Sequence, residues 1–223
     1  MIQLRATSVS ALLLIALFTL AVNQGAATEY RCEIPNVRIL GNDPRSAALA
    51  CDGAKRAVAF LSAQGLDVSS MIDIELVAQL ANKGAAGHLM VSSKTARVLT
   101  YSEFLKFGEW LRGQIDPEIY RALVAHEVAH VVAAHNFQVP RPTVQAHEYI
   151  AYVTTFATLN ATQREVVLRR IPGDGFETAQ QMNTTIYLCD PMRFGAEAYR
   201  HFVNKGIDAD YFRSILSGHM LTE

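Results

Sequence analysis

The residues best suited to chemistry lie in one apolar segment, residues 123–132, which reads LVAHEVAHVV. His126 and His130 are four positions apart, so on an α-helix they lie about one turn apart on the same face. Two imidazoles placed in this way can bind one tetrahedral zinc ion through their ring nitrogens. Glu127 is then positioned to take a proton from a zinc-bound water rather than to bind the metal. The spacing predicts a hydrolytic zinc site on one helix.

The neighbours of these three side chains are uncharged and mostly apolar. A solvated helix would carry Lys or Glu at several of these positions, so the pattern favours a buried helix. The alternative is that both histidines and the glutamate are core residues satisfied by hydrogen bonds. Burying three polar side chains without a strong partner is costly, and this cost favours a bound metal.

Composition limits the classes of function that need to be considered. The chain has 223 residues, a formal net charge of −1 and 50% hydrophobic residues, which fits one globular domain with a sizeable core. The charge is nearly balanced and no basic stripe is present, so we expect no nucleic-acid partner.

The N-terminal segment has the pattern of a secretory signal peptide. Arg5 precedes an apolar run at residues 11–22, and small residues follow at Gly25, Ala26 and Ala27. The apolar run is shorter than a membrane-spanning helix requires, so we expect cleavage after Ala27 and no stable membrane span afterwards. Residues 1–27 are thus predicted to be removed, and residues 28–223 to form one exported domain, either secreted or periplasmic.

The three cysteines, Cys32, Cys51 and Cys189, are not spaced like the ligands of a thiolate zinc site. In an oxidising compartment they can form one disulfide in three alternative pairings. The most local pairing, Cys32 with Cys51, is preferred. It would attach the N-terminal arm to the first helix and leave Cys189 as a thiol.

The first half of the chain mixes helix and strand signals. Asp43 and Pro44 predict the start of a helix that continues to Gln64. Apolar and polar residues alternate over residues 71–76, which predicts a strand, and residues 88–91 and 96–101 predict a hairpin. We therefore expect a small antiparallel sheet accompanied by one helix.

The second half is predicted to be helical almost throughout. Asp116 followed by Pro117 indicates the start of the helix that carries the histidines, and Thr143 can cap the next helix after a proline-rich break. Further helices are expected at residues 104–111, 144–159, 162–170, 177–188, 191–204 and 208–217. The fold class is therefore α+β, with the sheet first and the helices after it.

Two segments together resemble the gluzincin type of zinc metallopeptidase. These are the HExxH motif and the segment Glu148-Tyr149-Ile150-Ala151 on the following helix. Gluzincins place a glutamate ligand on that helix, often within a Glu-x-x-Ala-Asp signature. The resemblance implies that Glu148 joins His126 and His130 as the third zinc ligand and that Glu127 is the general base. It also implies a zincin-like fold whose edge strand receives the substrate backbone, for which residues 96–101 are the matching candidate.

The sequence departs from the signature at one position. Tyr152 replaces the aspartate that usually orients a histidine ligand, so either a backbone carbonyl or another carboxylate takes that role, or the geometry of the site is looser. The metzincin pattern is excluded, because it requires a histidine at the position of Asn136 and a glycine at the position of Ala133.

Five other polar side chains are candidates for a role at the site. His135 and His147 do not share a helix face with the predicted ligands, so neither is expected to bind the metal. His201, Tyr187 and Tyr199 are candidates for the group that stabilises an oxyanion, although for each of them a core or surface role is the commoner one.

The resemblance implies an exported zinc metallopeptidase that acts on a peptide or protein substrate. One alternative is a non-catalytic zinc-binding domain that retains the same fold. A second is a partner protein in which the histidines are simply packed. Metal analysis separates the second alternative from the other two hypotheses, and a turnover assay separates a peptidase from a non-catalytic binder.

Overall fold

The computed structural model describes residues 27–222. The predicted signal peptide lies outside these residues, apart from Ala27. No helix in the described part of the chain is long and apolar enough to cross a membrane.

Seven strands and eight α-helices are assigned among residues 27–222. The strands are β1 (Thr28–Arg31), β2 (Val37–Gly41), β3 (Ile72–Val77), β4 (Gly87–Met90), β5 (Thr95–Leu99), β6 (Glu109–Trp110) and β7 (Gly113–Gln114). The helices are α1 (Pro44–Ala63), α2 (Tyr101–Phe104), α3 (Pro117–Asn136), α4 (Val144–Thr158), α5 (Ala161–Arg170), α6 (Thr184–Cys189), α7 (Pro191–Asn204) and α8 (Ala209–Leu216). Short 3₁₀ segments occur at Leu105–Phe107 and Ala179–Gln181.

The main sheet has five strands in the order β1-β2-β3-β5-β4. Strands β1 and β2, and β4 and β5, pair antiparallel, whereas β2 with β3 and β3 with β5 pair parallel. The α+β prediction is confirmed, but the prediction of an antiparallel sheet is wrong because the sheet is mixed. Helix α1 connects β2 to β3, and a crossover of this kind returns the chain in the same direction.

The position of the sheet edge also differs from the expectation. Residues 96–101 were expected to provide the edge strand, but β5 lies between β3 and β4. Strand β4 is the edge strand on that side. The hairpin itself is confirmed, since β4 and β5 pair antiparallel. The sequence reveals the hairpin but does not show which of its two strands joins β3.

The predicted starts of the long helices are confirmed. Asp43 accepts a hydrogen bond from the backbone N–H of Arg45, and Asp116 accepts one from that of Ile119 at 2.8 Å. Thr143 caps α4 in the same way. Each cap satisfies an N–H group that has no partner within its own helix, which is why these residues fix the helix starts.

The prediction of one helix over residues 104–111 is wrong. Helix α2 ends at Phe104, a 3₁₀ turn follows, and Trp110 lies in β6, which pairs with β7. Leu111 and Arg112 form the connecting turn with φ values of 52° and 53°, a conformation that is rare for residues other than glycine. Burial of the Leu111 side chain stabilises this turn.

The helix predicted over residues 177–188 is also interrupted. A 3₁₀ turn ends at Gln181, and α6 begins only at Thr184. Asn183 accepts a hydrogen bond from the backbone N–H of Ile186 at 3.1 Å and so starts a new helix. Local capping by Asn183 overrides the helical spacing of the apolar residues.

Helix α3 lies at the centre of the molecule, packed against α1 and α4 and against the β4–β5 side of the sheet. Every side chain from Leu123 to Ala133 is buried. This burial confirms the prediction from the uncharged flanks of the motif. Polar side chains within this segment are therefore removed from water, and their chemistry depends on the groups that face them.

The N-terminal arm is attached to the helix that packs behind α3. Cys32, which follows β1, forms a disulfide with Cys51 in α1, as the most local pairing predicted. Cys189 is an exposed free cysteine at the end of α6.

Candidate metal centre

Helices α3 and α4 bring the three predicted ligands together. His126 and His130 lie on one face of α3, and their Nε2 atoms are 3.1 Å apart. Glu148 on α4 places Oε2 3.6 Å from Nε2 of His126 and Oε1 3.6 Å from Nε2 of His130. One ligand atom from each residue lies within 4.8 Å of the others, so the group could hold a metal ion.

The carboxylates at this site lack the partners that buried charged groups require. Oε2 of Glu148 and Oε2 of Glu127 are both buried without a hydrogen-bond partner. The 3.6 Å separations between the Glu148 carboxylate and the histidines are too long for hydrogen bonds. A cation between the three side chains would satisfy both ring nitrogens and the carboxylate at once. Two imidazoles and one carboxylate form a donor set that fits a divalent transition metal.

Burial sets the protonation of the centre. Burial lowers the pKa of His126 to about 3, and it lowers the pKa of His130 well below its usual value. Both rings are therefore neutral at pH 7, as metal binding requires. Burial raises the pKa of Glu148 to about 7, and the nearby Tyr187 hydroxyl lowers it by a smaller amount. Burial, and then the charge of Glu148, raise the pKa of Glu127.

A threonine on α4 orients the first histidine. Nδ1 of His126 is 3.1 Å from Oγ1 of Thr155, and this hydroxyl donates its own hydrogen to the carbonyl oxygen of Ala151 at 2.8 Å. Since the hydroxyl hydrogen is already used, Oγ1 accepts from Nδ1–H of His126. That tautomer leaves Nε2 unprotonated toward Glu148, so Thr155 performs the orienting role.

The orienting group was expected to be a backbone carbonyl or a carboxylate, and a hydroxyl is present instead. Sequence reasoning missed Thr155 because it examined only the position that the signature assigns, where Tyr152 stands. The signal available in the sequence is that Thr155 follows Tyr152 by three residues, on the same helix face. The Tyr152 ring itself packs 4.7 Å from the ring of His126, between centroids. A side chain at Gly195 on α7 would overlap the Tyr152 ring, so the glycine makes room for it.

Glu127 lies directly against the edge strand. A Cβ atom at Gly87 in β4 would overlap the carboxyl group of Glu127, so only glycine at this position allows the strand to pass so close. Strand β4 therefore forms one wall of the centre, with Glu127 at its base.

The centre opens into a cleft of about 690 Å³. Its walls come from β4, from the loop between α3 and α4, and from Tyr187 on α6. Burial raises the pKa of Tyr187, so its hydroxyl stays protonated at neutral pH and can donate a hydrogen bond.

Only one of the three candidates for oxyanion stabilisation lines this cleft. Tyr187 does, whereas His201 is hydrogen-bonded to the Tyr149 hydroxyl at 2.8 Å in the core. Tyr199 stacks on Phe156 with ring centroids 5.5 Å apart. His201 and Tyr199 therefore have structural roles.

The remaining histidines lie outside the ligand group. His135 faces Lys94, with Nζ 3.4 Å from Nδ1. His147 lines the cleft, and its ring centroid is 5.8 Å from that of His130, but its nitrogens are not part of the converging set. Sequence reasoning missed two further neighbours. His88 in β4 lines the cleft, and Trp110 places its ring edge-on to His126 at 6.2 Å. No sequence pattern links either residue to the motif.

The fold and the site together define an α+β protein with a buried His-His-Glu group that could bind a metal. Residues 37–223 match the model of a family described as a family of unknown function, DUF6639, and the chain belongs to this family. No match was found among the curated proteins or among the solved structures.

Proposed function

We propose that the chain is an exported zinc-dependent metallopeptidase that hydrolyses peptide bonds. One observation carries this proposal: ligand atoms of His126, His130 and Glu148 lie within 4.8 Å of one another, and the unpartnered Glu127 carboxylate lies in the same cleft. Two imidazoles with one carboxylate are typical of hydrolytic zinc sites. A purely structural site would have little use for a fourth polar group without a partner.

The residues divide the chemistry between them. His126, His130 and Glu148 would hold zinc, which supplies Lewis-acid activation of water and of the peptide carbonyl. Glu127, whose carboxylate lies in the same cleft, would take the proton of the attacking water and pass it to the leaving amine. The Tyr187 hydroxyl remains protonated and donates to the oxygen on which negative charge develops.

Export is part of the proposal. The signal-like N-terminal sequence and the Cys32–Cys51 disulfide both fit an oxidising compartment outside the cytoplasm. Such a location would give the protein peptide or protein substrates outside the cell membrane.

The decisive experiment compares wild type with Glu127→Gln. Both proteins are purified from an exporting host, analysed for metal by mass spectrometry, and incubated with a broad peptide library. We expect about one zinc per chain in both and hydrolysis only by wild type, because the substitution removes the base and keeps the ligands. Glu165→Gln changes an exposed acid on α5 and serves as a matched control that should keep full activity.

Two results would contradict the proposal. Equal hydrolysis by Glu127→Gln would exclude this glutamate as the base. Stoichiometric zinc in wild type with no cleavage of any library peptide would favour the non-catalytic zinc-binding domain. Tyr187→Phe should lower kcat about 100- to 1000-fold with little change in zinc content, as expected for the loss of one donor to the oxyanion.

A further inference from the structure

The cleft is lined by one arginine that has no ion-pair partner in the described part of the fold. Arg141 lies in the Pro140-Arg141-Pro142 turn between α3 and α4, and its exposed side chain lines the same cleft as Glu127 and the ligand group. Among the described residues that line this cleft, it is the only Lys or Arg. Within residues 27–222 it has no ion-pair partner, whereas Arg112 and Arg200 each pair with a carboxylate.

The charges around Arg141 leave it as the fixed positive side chain of the cleft. The other basic groups that line the cleft are histidines, and an imidazole, unlike a guanidinium, carries no fixed charge. Glu148 would be bound to the metal. An arginine that faces open space beside these groups can bind a carboxylate through two parallel N–H donors.

The backbone around Arg141 is stiff. Prolines on both sides fix their own φ angles and restrict the residues that precede them. Less conformational freedom is therefore lost when the side chain binds a ligand than on a flexible loop. The turn connects the end of α3 to the start of α4, and Arg141 lines the cleft from this short connection.

Two aliphatic side chains line the cleft, one just after the arginine turn in sequence and one just after the edge strand. Val144 follows the turn and is 47% exposed, and Val91 follows the edge strand β4 and is 78% exposed. Large aliphatic side chains exposed at a binding cleft gain free energy when a ligand covers them. The cleft therefore offers exposed apolar side chains and one side chain of fixed positive charge, that of Arg141.

We infer that the cleft selects peptides that carry a carboxylate next to an apolar side chain, with Arg141 binding the carboxylate and Val91 and Val144 contacting the apolar group. The inference rests on the proposed function, because it names the substrate class of that site. The carboxylate can belong to an acidic side chain or to the C-terminus of the peptide. Both sources share the same chemistry, and the experiment distinguishes them.

The test measures binding by the hydrolysis-deficient Glu127→Gln protein, loaded with zinc. Fluorescent peptide libraries are built on an apolar background, with Glu, Gln or Lys placed at each position in turn, and with a free or amidated C-terminus. We expect peptides with a suitably placed carboxylate to bind about 3- to 10-fold more tightly than their neutral counterparts, and this preference to weaken at high salt. A preference for Glu over Gln identifies an acidic side chain, and a preference for the free acid over the amide identifies the C-terminus.

Substitutions of Arg141 test whether this residue causes the preference for peptides that carry a carboxylate. Arg141→Ala should bind matched charged and neutral peptides equally, and Arg141→Glu should favour the Lys peptides instead. Arg193→Glu makes the same change of charge on α7, outside this cleft, and should leave the preference intact. Zinc content and thermal unfolding should stay at the parent level in all three variants, since the Arg141 side chain has no partner within the described structure.

The outcomes separate this inference from the proposed function. A parent protein that binds charged and neutral peptides equally, or an Arg141→Ala variant that keeps the preference, overturns the inference even if wild type hydrolyses peptides. A preference that depends on Arg141, in a protein whose wild-type form hydrolyses none of the bound peptides, supports the carboxylate site and contradicts the peptidase.

Discussion

Nδ1 of His126 lies 3.1 Å from Oγ1 of Thr155, one residue on each of the two helices that form the metal centre. The hydroxyl of Thr155 is oriented by the carbonyl oxygen of Ala151, so its free acceptor faces the imidazole. This pair couples the geometry of a predicted metal ligand to the packing of α4 against α3.

Replacement of Thr155 by valine should weaken zinc binding. Valine has nearly the same shape, but it leaves Nδ1–H of His126 without an acceptor and frees the ring to adopt the other tautomer. Loss of such an orienting group typically costs 10- to 100-fold in metal affinity, and Thr155→Ser should restore most of it. Competition with a chromogenic chelator measures the change.

Thr154→Val is the matched control for this substitution. Thr154 is equally buried on the same helix, and its hydroxyl donates to the carbonyl oxygen of Ile150 at 2.8 Å. Its loss should leave zinc affinity unchanged. Equal affinity in Thr155→Val and wild type would show that the hydrogen bond to His126 is not used.

The close approach of Gly87 to Glu127 gives a second prediction. Gly87→Ala introduces a methyl group where the Glu127 carboxyl lies, so either the edge strand or the carboxyl must move. We expect hydrolysis to fall at least tenfold while the zinc content stays near wild type, because the ligands lie on α3 and α4 and not on β4.

Gly84→Ala serves as the control for this effect. It lies in the loop that precedes β4, and a Cβ atom there would make only an ordinary contact with Asn82. Its activity should match that of wild type. Full activity of Gly87→Ala would show that hydrolysis does not depend on the present position of the Glu127 carboxyl.

The sequence predicts the convergence of the His-His-Glu group better than it predicts the sheet. That His126 and His130 share one face follows from the 3.6-residue period of one helix, which is a local property. Glu148 required the resemblance as well, because packing of α4 against α3 is a long-range event. In both cases, the uncharged residues around the site residues indicated that the helical segment is buried.

The errors arise where tertiary contacts override local patterns. The parallel pairing of β2 with β3 depends on where α1 packs, and the period-2 alternation of β3 is compatible with either direction. The turn at Leu111 and Arg112 has no glycine or asparagine to signal it, since burial of Leu111 stabilises the unusual backbone. Thr155 was missed because the signature assigns the orienting role to position 152, whereas the contact with His126 is made by a residue one turn further along α4.

Alanine substitutions should distinguish the role of Glu148 in zinc binding from that of its neighbour His147. Glu148→Ala should lower zinc affinity by orders of magnitude, and its thermal stability should no longer respond to added zinc. His147→Ala should still bind zinc, since His147 lies outside the converging group. Isothermal titration with zinc gives the affinities. A zinc site that requires His147 and not Glu148 would contradict the gluzincin-type arrangement.

The disulfide should stabilise the fold independently of metal binding. Cys32 and Cys51 are separated by 19 positions, and closing a loop of this size stabilises a fold by about 3 kcal/mol through the unfolded state. The double variant Cys32→Ser, Cys51→Ser should lose about this much free energy of unfolding in denaturant titration. Zinc stoichiometry should be unchanged, and Cys189→Ser, at an exposed free cysteine, should leave stability near wild type.

The last prediction concerns His201, a buried histidine remote from the metal ligands in the chain. The Tyr149 hydroxyl lies 2.8 Å from Nδ1 of His201, and burial raises the pKa of Tyr149, so the hydroxyl stays protonated and donates to the neutral imidazole. Burial lowers the pKa of His201, with a smaller contribution from Lys205 in the same direction and an opposing one from Glu177.

A histidine whose pKa is lower in the folded state than in the unfolded state stabilises the fold above the unfolded value near 6.5, and this contribution is lost as the pH falls. Wild type should therefore lose more stability between pH 7.5 and pH 5.5 than His201→Gln, which cannot become protonated there. Denaturant unfolding of both zinc-loaded proteins across this range measures the difference, and protons that compete at the metal centre affect both equally. Parallel stability curves would show that His201 is protonated as readily in the folded as in the unfolded chain.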